Sequence, residues 1–559
     1  MNLFLYLRNR TLAVLLITVL FLPHYSQGQF KSIILGRPTD KSVTASVYFD
    51  QNVEFFIEYG TQTGVYSTKT TFIQNKAKTP NHVDITGLAA NSKYFYRLQW
   101  RAVNTTTYSI TPEYSFQTQR AAGTTFKFIV EGDEHLHDKK GSGNLYKICL
   151  QNQLKENPDF MICMGDMFGD DHTPNSTTSA DMDFYHRDLL QYLGTACHSM
   201  PFFFCLGNHE GEFGYYLKQN PPNNIAVYAT NWRKNYFANP FPNSFYTGNS
   251  TKEAFGMDLP ENYYSFTWGD ALFVVIDVYR HCDANEKPQN WDWSLGKEQY
   301  DWFKKTLETS KAKYKFVMGH HTRGQGRGAK TTANAFEWGG NGNKNTYEFD
   351  TQRPGWGLPI HQLMVKNGVN IFFQGHDHLY AKESLDGLVY QVSPMACDST
   401  YTIGVLANAD AYTEVTSEGS GHLTVTVSPE NIKVDFVRAY LPADTKDGKH
   451  KNGEIAYSYT IGSNGNQNPN PVILGTSNAI NKEPEIKVYP NPTLDQLKIE
   501  WLNTVTPTEL KVNVSDSKGI FLFQTESSMI DLSQYPAGQY FLTIETGTKQ
   551  ITKKVTISH

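Results

Sequence analysis

Five short apolar runs, each closing on a glycine and then at once on carboxylate, amide or imidazole side chains, constrain this chain more than any other feature. Phe126 to Val130 leads into Gly132-Asp133-Glu134-His135, and Phe160 to Met164 into Gly165-Asp166. Pro201 to Leu206 leads into Gly207-Asn208-His209-Glu210, Lys315 to Met318 into Gly319-His320-His321, and Ile371 to Gln374 into Gly375-His376-Asp377-His378. Apolar runs of this length, bounded by turn residues, read as buried strands. A strand needs no such ending, whereas a site built from several loops does. In open α/β sheets the loops at the carboxyl ends of strands meet in one crevice, so these distant polar residues are expected to converge. The glycines let the backbone turn sharply and approach closely.

The residue types fit a metal centre. Carboxylate, imidazole and amide oxygen suit Zn, Mn or Fe. Two such ions about 3.5–4 Å apart need a shared anion, and a short aspartate supplies one, which nominates Asp166. His376 and His378 are two residues apart; on an extended segment both side chains leave one face and reach different ions. His209 stays available for proton transfer. Glu210 reads either as a group that orients the His209 ring or, by preference, as the start of a helix. Arg323 and Arg327, in the glycine-rich loop after His320, read either as forked donors to phosphate oxygens or as solvated loop cations. No lysine and hydroxyl pair follows that loop, so it is not a nucleotide P-loop, and no G-x-S-x-G elbow supports a serine hydrolase.

Organisation follows from patterning. At 559 residues the chain exceeds what one core supports, so about two to four domains are expected. Arg8 and Arg10, the apolar run Thr11 to Leu22 and the small-residue site before Gln29 read as a secretory signal peptide, residues 1–28. No segment of the mature chain reads as a membrane span. Residues 30–118 alternate apolar and polar, as in Val43, Ala45, Val47 and Phe49, and read as a small β-sandwich. From Phe126 strands alternate with helical stretches, including Lys297 to Thr309 and Leu358 to Lys366, so residues 125–460 read as an α/β layered domain. Residues 461–484 read as a linker rich in Gly, Ser, Asn and Pro, and 485–559 as a second small β unit. Charged residues make up 19% and the net charge is −5, which gives no basic field for nucleic acid. The six cysteines show neither a disulfide framework nor a CxxC knuckle.

Three resemblances sharpen this reading. Gly87-Leu88 followed by Tyr94-Phe95-Tyr96-Arg97 resembles the fibronectin-III-like module that precedes the catalytic domain in purple acid phosphatases. The ordered set Asp-x-His, Gly-Asp, Gly-Asn-His-Glu, Gly-His and Gly-His-x-His resembles the calcineurin-like metallophosphoesterase superfamily over about residues 126–380. That likeness implies a two-sheet α/β sandwich and a dimetal phosphoesterase. It implies one ion held by Asp133, His135, Asp166 and His378, a second by Asp166, Asn208, His320 and His376, and His209 at the leaving oxygen. Purple enzymes carry a tyrosine ligand three residues after the second-motif aspartate; here that position is Gly169, so the purple centre is not expected. The Ile486 to Thr493 stretch with Gly538-Gln539-Tyr540 and Lys553-Lys554-Val555 resembles the type IX secretion sorting domain of Bacteroidota. The chain is thus expected to be a secreted or surface-attached hydrolase of phosphate monoesters acting through a metal-bridged hydroxide. Its partners would be a small phosphorylated substrate and the outer-membrane secretion machinery. A phosphodiesterase acting on nucleotides or glycerophosphodiesters is the alternative, and a non-catalytic surface binding protein the further one.

Overall fold

The computed structural model describes residues 30–137, 141–169, 176–282, 286–322, 327–403, 409–462, 486–501, 510–517, 520–546 and 549–558. The signal peptide, Arg323 and most of the expected linker lie outside them.

Two sheets face each other across an aromatic core. The first has nine strands in the order Ile455–Gly462, Asn431–Arg438, Gly421–Val427, Phe126–Glu131, Phe160–Cys163, Phe202–Phe204, Phe30–Gly36, Ser42–Phe49 and Asn81–Thr86. The second has eight, in the order Thr247–Gly248, Tyr264–Trp268, Ala271–Val275, Tyr314–Met318, Ile371–Gln374, Leu388–Val392, Tyr380–Leu385 and Val415–Ser417. Phe128, Phe160, Phe203, Phe266, Phe273, Phe316 and Phe373 fill the space between them. Phe266 and Phe273 stack at 4.9 Å, and Phe128 meets Phe273 edge-on at 5.0 Å, geometries that add to the burial of their area.

Helices cover the outer faces. Gly143–Lys155, Ser179–Leu193 and Ile225–Tyr236 pack on the first sheet; Lys297–Thr309 and Ile360–Lys366 pack on the second. Tyr300, Phe303 and Leu307 form the buried stripe of the Lys297 helix, as their spacing predicts. The Ser179 helix is less legible, because His186 interrupts its stripe of Met182, Leu189, Leu190 and Leu193.

The chemistry-bearing edge is set by parallel register. Glu131 pairs with Cys163 and Cys163 with Phe204, while Val275 pairs with Met318 and Met318 with Phe373. Strands that end level deliver their next residues to one rim, the reason separate motifs meet.

The N-terminal region packs as a β-sandwich around Val43, Val47, Phe55, Ile57, Tyr96 and Leu98, but it is not a separate body. Its first strand runs parallel to Phe202–Phe204, with Gly36 opposite Phe202, so three of its strands extend the central nine-stranded sheet. The C-terminal unit forms sheets of three and four strands around Leu497, Val512, Val514, Leu542 and Val555. All six cysteines are buried and none forms a disulfide, so none staples the fold.

Candidate metal centre

Asp133, His135, Asp166, His320, His376 and His378 arrive at one point. Three overlapping groups have ligand atoms within 4.8 Å of one another: Asp133, His135 and His378; His135, Asp166 and His209; and Asp166, His320 and His376. Asp166 is common to two of them. Its Oδ2 lies 3.0 Å from His320 Nε2, 3.9 Å from His135 Nε2 and 4.0 Å from His209 Nε2. On the other side His135 Nε2 and His378 Nε2 lie 3.0 Å apart, and His378 Nε2 is 3.7 Å from Asp133 Oδ1. Asn208 follows Gly207, and its Oδ1 lies 3.5 Å from the Tyr279 hydroxyl. Asn208 and His376 are partly exposed while Asp133, His135, Asp166 and His320 are buried. The centre therefore opens to solvent on the Asn208 and His376 side.

The backbone is bent to make this convergence. Asp133, His135, Asp166, His376 and His378 all hold positive φ, between 45° and 72°. Each such conformation costs a non-glycine residue on the order of 1–3 kcal/mol, and such strain clusters where function requires it. His376 and His378 therefore do not sit on an extended segment. They reach opposite sides of the cluster because the chain turns at each of them, not because strand alternation places them on one face. The flanking glycines are equally constrained. A Cβ on Gly207 would collide with the Asp166 carboxylate, and one on Gly375 would lie 2.6 Å from Asp133 Oδ2.

Buried acids hold the loops together. Glu210 accepts from the backbone N–H groups of Gly207 at 2.7 Å, Asp166 at 3.0 Å and Met167 at 3.1 Å. It is a clamp between two motif loops and starts no helix; the next helix begins at Gly214. The His209 N–H donates to Asp166 Oδ1 at 2.7 Å, and the His376 N–H donates to both oxygens of Asp133 at 2.9 Å. His320 is fixed through Nδ1, 2.6 Å from the Met164 carbonyl oxygen, which turns Nε2 toward Asp166. Asp377, between the two histidines, accepts from Gly328 N–H at 2.8 Å and from Tyr412.

Arg327 Nη1 donates to the His376 carbonyl and, at 3.1 Å, to Asp377 Oδ1. That nitrogen is engaged by the histidine loop.

The donor set suits a cation. Burial pushes the Asp133 carboxyl up to about 7, with Asp166 adding to the rise and His320 opposing it. Burial also works against ionised Asp166, but His320 and His209 beside it hold its carboxyl well below the usual range. His320 is lifted to about 9, chiefly by Asp166 acting against burial, and Glu210 rises to about 7 through burial and the Asp166 charge. Several carboxylates and imidazole nitrogens buried together are costly to keep charged alone, and a bound divalent ion would satisfy them together.

Tyr279 is a participant that the sequence does not announce. It follows the strand Ala271–Val275, a sixth strand end on the same rim, where Asp277 Oδ1 accepts from the Tyr279 N–H at 2.8 Å. Its run, Ile276-Asp277-Val278-Tyr279, lacks the glycine that marks the other five.

Residues 126–380 match the calcineurin-like phosphoesterase family, and residues 487–558 match the secretion system C-terminal sorting domain. The chain thus carries a segment that matches the calcineurin-like phosphoesterase family, followed by one that matches the type IX secretion sorting domain. It is similar to purple acid phosphatase 22 of Arabidopsis thaliana, with 25% identity over 250 residues, 43% of this chain and 47% of that protein. The chain thus spans about half the length of that curated relative. Among solved structures it resembles PhoD (TM-score 0.57, 16% identity, 81% of this chain and 94% of that one). It also resembles purple acid phosphatase PPD1 from yellow lupin, Lupinus luteus (TM-score 0.51, 16% identity, 78% and 74%). These likenesses establish the two-sheet fold. No helix among the described residues is long and apolar enough to cross a membrane.

Proposed function

We propose that this chain is an exported dimetal phosphatase that hydrolyses phosphate monoesters. The observation that carries the reading is Asp166, whose one carboxylate faces His320 on one side and His135 and His209 on the other. One divalent ion (Mn, Zn or Fe) would be held by Asp133, His135, Asp166 and His378, and the other by Asp166, Asn208, His320 and His376. When bound, such ions supply positive charge for the phosphoryl oxygens and make water a nucleophile near neutral pH.

The protein's own groups do the rest. Glu210 and the His209 N–H fix Asp166 between the two sets of donors, so the site needs little reorganisation as charge develops. His209, its ring 4.5 Å from that of His135, sits where it can give a proton from Nε2 to the departing alkoxide. Burial of Asp133, His135 and His320 excludes water from the inner side, and a phosphate ester approaches from the Asn208 and His376 side. Arg327 positions the His376 loop. The N-terminal sandwich, read as fibronectin-III-like, supports the hydrolytic unit of residues 125–460 through their shared sheet.

Comparing p-nitrophenyl phosphate with bis-p-nitrophenyl phosphate on one metal-analysed sample tests the reading. Faster turnover of the monoester supports it; exclusive turnover of the diester replaces it with a phosphodiesterase. Asn208→Ala should lower occupancy of one ion with an unchanged circular dichroism spectrum. His209→Ala should keep both ions while kcat falls by about 10²–10⁴-fold; undiminished turnover would remove its assigned role.

A further inference from the structure

The strand Asn431–Arg438 ends on a cation that the fold buries without an acid. Four arginines are buried among the described residues. Three of them meet carboxylates: Arg233 pairs with Glu212 at 2.6 Å, Arg280 with Glu212 at 3.3 Å and with Glu253, and Arg353 with Glu337 at 2.5 Å. Arg438 is the exception. It is 2% exposed, its Nε is sealed from solvent without a partner, and its guanidinium forms no ion pair or hydrogen bond among the described residues. Buried charges are normally paired, because an isolated one is far costlier to strip of water than a neutral polar group.

The surroundings cradle this group. In its pairing with Ile455–Gly462 the strand shifts register between Phe436 and Val437, a bulge of the kind that re-aims the side chains beyond it. Arg438 Cζ lies 4.9 Å over the Tyr440 ring, and Tyr440 stacks on His450 at 4.8 Å. Gly419, at φ 105°, leaves the room that the guanidinium fills, since a Cβ there would collide with Nη2, Cζ and Nε. The acids of the region are engaged elsewhere. Asp444 accepts from the Tyr401 hydroxyl at 2.8 Å, and Glu454 accepts from the Tyr440 hydroxyl at 3.2 Å and pairs with His450 at 3.4 Å. Asp398 Oδ1 accepts from the Thr400 N–H at 2.9 Å, and neither Asp398 Oδ2 nor the partly exposed Glu418 pairs with Arg438. The undescribed residues 404–408, which follow the Thr402 whose carbonyl accepts from the Gly419 N–H, include no acid in their sequence.

We propose that Arg438 forms an anion-binding site outside the metal centre, and that its ligand is a small oxyanion, a phosphate or a carboxylate. Tyr440 covers one face of the guanidinium and Nε is sealed, so the edge made by Nη1 and Nη2 is the one left to a ligand. That edge presents parallel N–H donors, which match two oxygens of a phosphate or carboxylate. The bound anion would give Arg438 the charge that Glu212 gives Arg233. None of these residues belongs to the proposed ion-binding set, so the site stands whether or not the chain hydrolyses phosphate esters.

Titration calorimetry of the full metal-loaded protein in chloride buffer, with sodium phosphate and separately with sodium acetate, tests the site. Wild type is compared with Arg438→Met, which removes the charge and keeps most of the side-chain length. Wild type should bind one equivalent more of one of these anions than the variant does. Taking the difference between the two proteins cancels whatever the metal centre itself binds. An excess with phosphate assigns a tetrahedral ligand, and an excess with acetate a carboxylate. Arg438→Lys keeps the charge without the fork; it should weaken the added binding by about tenfold, and it carries the test should the methionine variant misfold. Urea midpoints in chloride give a second readout. Arg233→Met, which strips a partner from buried Glu212, should lower the midpoint, whereas Arg438→Met should hold or raise it because it orphans no acid. No excess of either anion in wild type over the variants overturns the site. A fall in the Arg438→Met midpoint as large as that of Arg233→Met, alongside that result, would identify Asp398 or Glu418 as the internal counter-charge.

Discussion

Asp166→Asn should lower kcat/KM for p-nitrophenyl phosphate by about 10³-fold while leaving the fold unchanged. The substitution keeps the size of the side chain and one carbonyl oxygen, so the His209 N–H still finds an acceptor in place of Oδ1. What it removes is the negative charge at Oδ2, the atom within 4.0 Å of His320, His135 and His209. An amide NH₂ there would face the two proposed cations in place of a carboxylate. A neutral group neither draws the ions together nor tolerates their proximity, so the loss should appear in kcat and in metal affinity alike. If Asp166→Asn retained more than about a tenth of wild-type turnover, the shared-carboxylate account would have lost its main support.

The second large effect concerns stability. Glu212, two residues beyond the Glu210 clamp, is buried among cations: Arg233 Nε lies 2.6 Å from Oε1, and Arg280 Nη1 and Thr230 Oγ1 lie 3.3 and 2.7 Å from Oε2. Arg280 also pairs with Glu253, and Arg233 donates to the Pro260 carbonyl at 2.6 Å. The network ties the Ile225–Tyr236 helix to the loop carrying Asn208 and to the loop carrying Tyr279. Removing one partner of a buried ion pair leaves an uncompensated charge and costs about 3–5 kcal/mol. Here Glu212→Ala strips a partner from two guanidinium groups and is expected to fall at the upper end of that range, measured by urea unfolding of the metal-loaded protein. Burial opposes ionised Glu212, but the adjacent Arg233 holds its folded-state carboxyl below the usual range. Its stabilisation is therefore fully present above pH about 4.5 and lost as the pH falls below it. The variant should show a smaller acid-dependent loss of stability than wild type across that window. A loss under about 1 kcal/mol at neutral pH would mean that the guanidinium groups find other partners.

The candidate site was largely legible because the side chains that converge in it sit at strand ends. An apolar run, a glycine and a polar residue form a local signal, and Asp133, Asp166, Asn208, His320 and His376 each carry it. Glu210 was visible but misread. A glutamate near a helix start is common, and only tertiary contact shows that this one binds three N–H groups from two loops. Tyr279 was invisible because its strand ends without glycine, and Arg280 and Glu212 because ion partners far apart in sequence leave no local pattern. The same limit applies to the fold. Alternation predicts the N-terminal strands, but which strand lies beside Phe30–Gly36 depends on a pairing some 170 residues away, and alternation contains nothing about it. Helix spacing predicts the Lys297–Thr309 stripe with its correct buried face, since that information lies within one segment.

The direct test of the central claim is the number of metal ions per chain in catalytically active protein, measured by inductively coupled plasma mass spectrometry alongside turnover. Two equivalents in wild type, with turnover rising as the second ion is added to partly loaded protein, is the predicted result. Full activity with a single equivalent, or two equivalents retained undiminished by Asp166→Asn, would contradict it.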